Sequence, residues 1–338
     1  MRIGVFGLGF MGSTHLKALR DIPRAELVAV VSDVPEKLTG DLSSIQGNLG
    51  GPGLTFDFDN VRKYRNPQDA LRDREIDAVD LCLPTHLHAA VAIEALRAGK
   101  HVLVEKPMAL CGEEADAMIA EAGESGRVLM SAQVLRFSPA YLPMIEAVKS
   151  GSFGPVRSAV FRRRCAAPTW NAWLKDPRTS GGGVFDLLIH DVDMALHLFG
   201  PPEAVSAAGY VDLPAGIDTI TARLHYPAIA DVVITGGWHH PKAYPFSMEY
   251  TIVTQRGTFD YNSAGRPPTL YHAGGEEEAL AQPGKDGYQA EIEYFVDCCI
   301  HNRRPGLCPP EQSAAAVKIA QLMQRAREAN GEKLPCKL

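Results

Sequence analysis

The sequence predicts an α/β domain followed by an α+β domain, the first on a parallel sheet and the second on a mainly antiparallel one. Three observations carry this. The chain has 338 residues, too many for one ordinary hydrophobic core and suited to two. Its first part alternates single strands with single helices, the pattern of βαβ units. From about Val156, strand-like runs follow one another without intervening helices, the pattern of an antiparallel sheet. The division is placed between residues 1–125 and 126–338, with the C-terminal helix a candidate to pack back on the first domain.

The elements follow in order. RIGVFGLGFMGSTHLKAL is a β-branched run, a glycine turn and an amphipathic helix, and AELVAVVSD is a second strand. Between Val34 and Asn60, Gly47, Gly50, Gly51, Pro52 and Gly53 predict a loop. DAVDLCLP is a strand, His86 to Ala98 a helix, HVLVEK a strand, Gly112 to Ser125 a helix, and RVLMSAQ closes the series. VRSAVFRRR, EAVSAAGYV, DTITARLHY, DVVITGGWH and FSMEYTIVTQ are the later strands. A helix begins near Val184, and two more span Tyr288 to His301 and Pro310 to Asn330.

Composition narrows the class. Apolar residues make up 46% and charged residues 22%, as in a soluble globular protein. The net charge of −6 offers no basic field for nucleic acid. The clustered bases Arg162, Arg163 and Arg164 are expected to form a solvated patch. No apolar stretch approaches the ~20 residues that cross a bilayer, and the opening strand leaves no room for a signal peptide. The seven cysteines show no Cys-x-x-Cys spacing, and Cys298-Cys299 lie on a helical pattern as buried thiols. A reduced, cytoplasmic setting is expected.

Gly7-x-Gly9-x-x-Gly12 follows a strand and opens a helix within a βαβ unit, the context that makes this pattern a dinucleotide fingerprint. Gly7 permits the turn, Gly9 lets backbone approach a pyrophosphate, and Gly12 allows close helix–strand packing. The helix N-terminus offers N–H groups to phosphate. Asp33, 21 residues beyond Gly12, stands where an acid binds the adenosine ribose, with Ser32 before it. The alternative role for Asp33 is a cap on the next segment. No arginine adjoins it in the sequence, so NAD is expected rather than NADP.

A second cluster lies in SGGGVFDLLIHDVDMALHLFG. Asp186, His190, Asp193 and His197 fall at i, i+4, i+7 and i+11, on one helical face. A polar stripe on an apolar helix needs partners. A metal site, a solvated face and an acid–base site compete. His86, His88 and the His239-His240 pair could join a metal only from a distance, and no other ligand spacing exists. The acid–base use is favoured, with His190 titrating and Asp186 or Asp193 orienting it. His197 is expected to be structural. No metal is expected.

Together, Gly7-x-Gly9-x-x-Gly12, LPTHLHAAVAIEALRAGKHVLVEKPMA, Arg136-Phe137, GGGVFDLLIHDVD and the helix at Tyr288–Phe295 resemble the Gfo/Idh/MocA oxidoreductases, the glucose–fructose oxidoreductase and inositol dehydrogenase family. The resemblance covers nearly the whole chain. It implies a Rossmann domain carrying an open, mainly antiparallel sheet domain, a sugar-like or polyol substrate, and a homodimer or homotetramer. It implies Lys106, Asp186 and His190 as catalytic residues, with Glu105-Lys106-Pro107 at the ligand crevice and a cis Lys106–Pro107 bond. Cofactor contacts are expected from Gly7, Gly9, Phe10, Met11, Gly12, Ser32, Asp33, Leu83, Pro84, Thr85, His88, Glu105, Lys106 and Gln133. Arg136, Trp173, His239 and Tyr288 are candidates for the substrate wall. A larger residue, Leu188 or Ile189, stands where the family usually has a small one.

The expected reaction moves a hydride between a secondary alcohol carbon and nicotinamide. Either Lys106 or His190 is the formal base. A glycosidase using transient oxidation by bound NAD is one alternative. A non-catalytic NAD or sugar sensor is another, opposed by the presence of both Lys106 and His190.

Overall fold

The computed structural model describes residues 1–45, 47, 53–168, 172–282 and 284–338. Gly50, Gly51 and Pro52 of the expected loop lie outside them. The chain divides into two units, Met1–Val134 with Lys285–Ala314, and Leu135–Gly284 with Ala315–Leu338.

The first unit begins β1 (Arg2–Phe6), α1 (Phe10–Leu19), β2 (Glu26–Val31), β3 (Arg62–Tyr64), α2 (Pro67–Leu71), β4 (Ala78–Leu81), α3 (His88–Arg97), β5 (His101–Glu105), α4 (Gly112–Ser125) and β6 (Leu129–Ala132). The six strands pair in parallel in the order β3-β2-β1-β4-β5-β6. Val30, Val79, Val102, Leu103 and Val104 are fully buried, as in a parallel sheet covered on both faces. Burying each such side chain contributes about 1.5–3 kcal/mol. Strand order reverses between β1 and β4. Sheets of this kind bind ligands outside the carboxyl ends of their strands at that point. The parallel sheet runs past residue 125, because β6 pairs with β5.

The second unit contains α5 (Leu142–Ser150), β7 (Val156–Cys165), α6 (Pro177–Ser180), α7 (Gly183–Phe199), β8 (Ala204–Asp212), β9 (Ile217–His225), β10 (Asp231–Trp238), β11 (Ser247–Thr254), β12 (Gly257–Asn262), β13 (Arg266–His272) and β14 (Glu277–Ala279). After α8 (Gly287–Ile300) and α9 (Pro310–Glu328), β15 (Leu334–Pro335) joins the same sheet. Its order is β14-β13-β12-β11-β7-β10-β9-β8-β15. Neighbours are antiparallel except β10 and β7, which are parallel. α7 packs on β7, β9 and β10.

α8 belongs to the first unit, although the sequence rhythm groups it with the second. It packs on α1. Gln289 donates to the Asp21 carbonyl at 3.0 Å, and Arg24 pairs with Asp297 at 2.9 Å.

The basic triplet corrects an expectation. Side chains alternate along β7, so Arg163 points opposite to its neighbours. Arg163 is buried and pairs with Asp191 through two contacts, 2.9 and 3.0 Å. Arg162 and Arg164 share Glu249, at 2.9 and 2.5 Å. All three guanidiniums are matched by carboxylates, and no solvated basic patch forms here.

Candidate active site and cofactor cradle

The β1–α1 turn has the features that a pyrophosphate requires. Gly7 adopts φ +99°, and a Cβ there would lie 2.5 Å from the Cys82 carbonyl oxygen. A Cβ at Gly12 would lie 1.9 Å from the Gly7 carbonyl oxygen, so helix and strand approach as only glycine allows. A side chain at Gly9 would enter open space. Gly9 caps α1 and no side chain satisfies that helix end. The first N–H groups, from Phe10, Met11 and Gly12, lack intrahelical partners by geometry and lie at the positive end of the helix dipole. These features fit a dinucleotide.

Asp33 is exposed just beyond β2, while Ser32 is buried and its Oγ accepts from the Val34 N–H at 3.2 Å. The expectation of no base near Asp33 is corrected. Arg65, which follows β3, donates to the Asp33 carbonyl oxygen at 3.2 Å. The parallel pairing of β2 with β3 brings it there across 32 residues.

Beyond β4, Leu83 and Pro84 are half-buried and Thr85 is buried. His88 is buried, with Nδ1 2.8 Å from the Pro107 carbonyl oxygen and Nε2 2.8 Å from that of Leu83. It therefore braces two loops instead of offering a ring nitrogen to a cofactor. Burial pushes its pKa below the usual histidine value, against the two carbonyls. Gln133, just after β6, is 1% exposed, and neither atom of its amide has a hydrogen-bond partner among the described residues. Such a buried amide is costly unless a ligand satisfies it.

The Lys106–Pro107 bond is cis. Lys106 is half-buried at the carboxyl end of β5, and its N–H donates to Glu105 Oε2 at 2.9 Å. Glu105 is buried, and its Oε1 lies 3.0 Å from Nε2 of His15. His15 Nδ1 lies 2.9 Å from Asp80 Oδ2 and 3.5 Å from Cys82 Sγ. Burial raises the Glu105 pKa, but the His15 contact and then Lys106 more than reverse this, leaving it low. His15 and Asp80 escaped the sequence reading. Their available signals were an acid inside a buried strand and a histidine on the inner face of α1.

His15, Asp80 and Cys82 place ligand-type atoms within 4.8 Å of one another. Metal-bound imidazole is neutral, whereas His15 faces a carboxylate at each ring nitrogen. A protonated ring is attracted to both carboxylates, so these contacts form an ion-pair network.

On α7, residues 183 to 196 are buried except Asp186 and His190, which are half-buried. The stripe is thus two residues wide at its accessible end. Asp193 does not orient His190. It is buried against Arg136, with Nε–Oδ2 at 2.8 Å and Nη2–Oδ1 at 2.6 Å. Arg136 is accordingly no wall for a substrate, because its guanidinium is fixed in a buried pair. His197 Nε2 lies 3.2 Å from Lys149 Nζ.

The other wall candidates scatter. Tyr288 opens α8 in the first unit, with its ring 6.1 Å from that of His15. Burial pushes its hydroxyl pKa up. Trp173 is half-buried in a 3₁₀ turn, and its carbonyl accepts from Thr179 Oγ1 at 2.6 Å. His239 is exposed after β10, its ring 4.0 Å from that of His240, which stacks on Tyr244 at 3.7 Å. Leu188 and Ile189 are fully buried. Among the described residues, no helix is long and apolar enough to cross a membrane.

Residues 1–133 match the family described as "Oxidoreductase family, NAD-binding Rossmann fold" (GFO_IDH_MocA), and residues 141–260 match that family's C-terminal domain. Myo-inositol 2-dehydrogenase from Thermotoga maritima is 34% identical over 100% of this chain and 98% of its own length. The scyllo-inositol 2-dehydrogenase (NAD(+)) of Bacillus subtilis is 32% identical over 90% of this chain and 88% of its own. A solved structure of levoglucosan dehydrogenase in complex with NADH and L-sorbose shares the fold, with a TM-score of 0.86, 19% identity and coverage of 100% of this chain and 99% of its own.

Proposed function

Because the chain belongs to the Gfo/Idh/MocA family of NAD-binding oxidoreductases, we propose that it oxidises a secondary alcohol of a cyclic polyol or sugar, or reduces the matching ketone. The carrying observation is that one parallel sheet bears both the glycine cradle on β1–α1 and Lys106 at the carboxyl end of β5. Gly7 to Gly12 hold the pyrophosphate and Asp33 the adenosine ribose. Phe10, Met11, Ser32, Leu83, Pro84 and Thr85 flank the dinucleotide. Gln133 presents its unpartnered amide to it.

Bound NAD supplies the hydride acceptor. Lys106 donates to the alcohol oxygen and stabilises the negative charge that grows there. His190 takes the hydroxyl proton at a ring nitrogen, and Asp186, one turn earlier, orients the imidazole or the substrate hydroxyl. Trp173 and His239 offer ring surfaces to the substrate. The accessible pair on α7 supports these roles, since Asp191 and Asp193 of that helix are tied up in ion pairs.

The substrate class follows from the two inositol dehydrogenases, which align over nine-tenths or more of this chain. A panel of inositols, sugars and sugar acids, followed by NADH absorbance, tests it. NADH formation with an inositol or sugar is expected. Release of an aglycone without net NADH would instead establish the glycosidase chemistry. We also infer a homodimer or homotetramer in a reducing, cytoplasmic setting, which the seven free thiols support. Light scattering on a sizing column tests the assembly, and a monomer would contradict it.

A further inference from the structure

A buried imidazole joins the cradle helix to the Glu105–Lys106 turn. His15 is fully buried on α1, one turn beyond Gly12. Its two ring nitrogens face Asp80 on β4 at 2.9 Å and Glu105 on β5 at 3.0 Å. Nδ1 hydrogen-bonds Asp80, whereas Nε2 meets Glu105 as an ion-pair contact without an aligned hydrogen bond; an imidazole between two carboxylates is favoured in its doubly protonated, charged form. The other oxygen of Glu105 accepts the Lys106 N–H. A continuous chain of charge-assisted contacts therefore runs from Asp80 through His15 and Glu105 to the backbone of Lys106.

We propose that His15 is a positioning residue for Lys106: as an imidazolium it holds the Glu105 carboxylate, and Glu105 holds the backbone that carries the Lys106 ammonium. This rests on the assignment of Lys106 to the reaction. It adds to that assignment a residue from the phosphate-binding helix that touches neither substrate nor dinucleotide. The groups facing His15 are Asp80 from β4, Cys82 just beyond it, and Glu105 from the end of β5, with Lys106 next to it. From α8 they are Tyr288 and, beside it, Glu291. Burial alone would lower the imidazole pKa. The Asp80 carboxylate reverses this and holds it well above the usual histidine value.

The test uses His15→Gln, which keeps one donor and removes the charge, alone and combined with Lys106→Met. Losing the positive charge that faces Glu105 predicts a fall in kcat of about 10- to 100-fold in the single variant. NADH affinity, read by fluorescence, should barely change. In the Lys106→Met background the same substitution should change kcat little, because its effect passes through Lys106. A purely structural role would lower kcat equally in both backgrounds and overturn the proposal. Asp80→Asn, which preserves size, guards against misfolding of the first variant. It should bring the His15 ring into titration and add an alkaline loss to the kcat–pH profile; an unchanged profile overturns the proposal. In the wild type, ¹⁵N shifts should show both His15 ring nitrogens protonated at neutral pH, and a neutral ring overturns it. If Lys106→Met retains wild-type kcat, the Lys106 assignment itself fails. If only His15→Gln does, that assignment stands and His15 has no positioning role.

Discussion

Asp33 and Arg65 set opposite preferences at one point of the cradle. The exposed Asp33 carboxylate suits a ribose hydroxyl pair and repels a 2′-phosphate, while Arg65, already at the Asp33 carbonyl, would attract one. Wild-type protein should therefore bind NAD more tightly than NADP. Asp33→Ser should move the ratio toward NADP by about 10- to 100-fold, the worth of one charge-assisted hydrogen bond. Fluorescence titration of both cofactors measures this, and an unmoved ratio would show that Asp33 does not read the ribose. At Lys106 the chemistry differs. Lys106→Met should lower kcat about 100- to 1,000-fold, as loss of one donor to a developing oxyanion does. NAD affinity and melting temperature should stay close to wild type, because the pyrophosphate and ribose rest on other elements. Near-wild-type turnover would make Lys106 a turn residue.

Helix α7 is held by two buried ion pairs, Arg163–Asp191 and Arg136–Asp193, on either side of the accessible His190. Each is bidentate and almost wholly buried. Such pairs add little net stability over apolar replacements, but removing one partner strands a charge. Arg163→Met should cost about 3–5 kcal/mol by urea unfolding. The double variant Arg163→Met/Asp191→Leu should recover most of that loss. Equal losses in single and double variants would show that the charge is not the source. The same logic explains why the polar stripe misleads when read alone. Periodicity correctly puts Asp186, His190 and Asp193 on one face, yet Asp193 meets a guanidinium from a segment 57 residues away.

At the scale of the whole protein, pH should act on stability through His15 and Glu105. The folded pKa of His15 is raised, so its contribution is fully present below about pH 6.5 and is lost as pH rises through the raised value. That of Glu105 is lowered, so its contribution is present above about pH 4.3 and is lost as pH falls through the depressed value. Melting temperature should therefore plateau between these limits and fall on the alkaline side, with a shallower alkaline fall in His15→Gln. Parallel alkaline limbs would place the titrating group elsewhere. Turnover should also survive exhaustive chelation, since the His15–Asp80–Cys82 group is held by protons. Activity lost on chelation and restored by zinc would reverse that assignment.

Local chemistry was enough to determine much of this protein from sequence. Gly7-x-Gly9-x-x-Gly12 is a short-range pattern set between a strand and a helix, and the buried strands announce themselves as unbroken apolar runs. Glu105-Lys106-Pro107 stands out because charges end such a run, and Asp186 and His190 because helical spacing aligns them. Strands β12 to β14 and the short β3 stayed hidden, being partly exposed, so their apolar pattern is weak. The tertiary structure alone decided which charges meet. His15 and Asp80 are 65 residues apart, Arg163 and Asp191 are 28 apart, and Arg65 reaches Asp33 only because β3 lies beside β2. Periodicity and turn chemistry act over a few residues and can be read along the chain. An ion pair depends on strand order and helix packing, which bring together groups that nothing in their own neighbourhoods marks as partners.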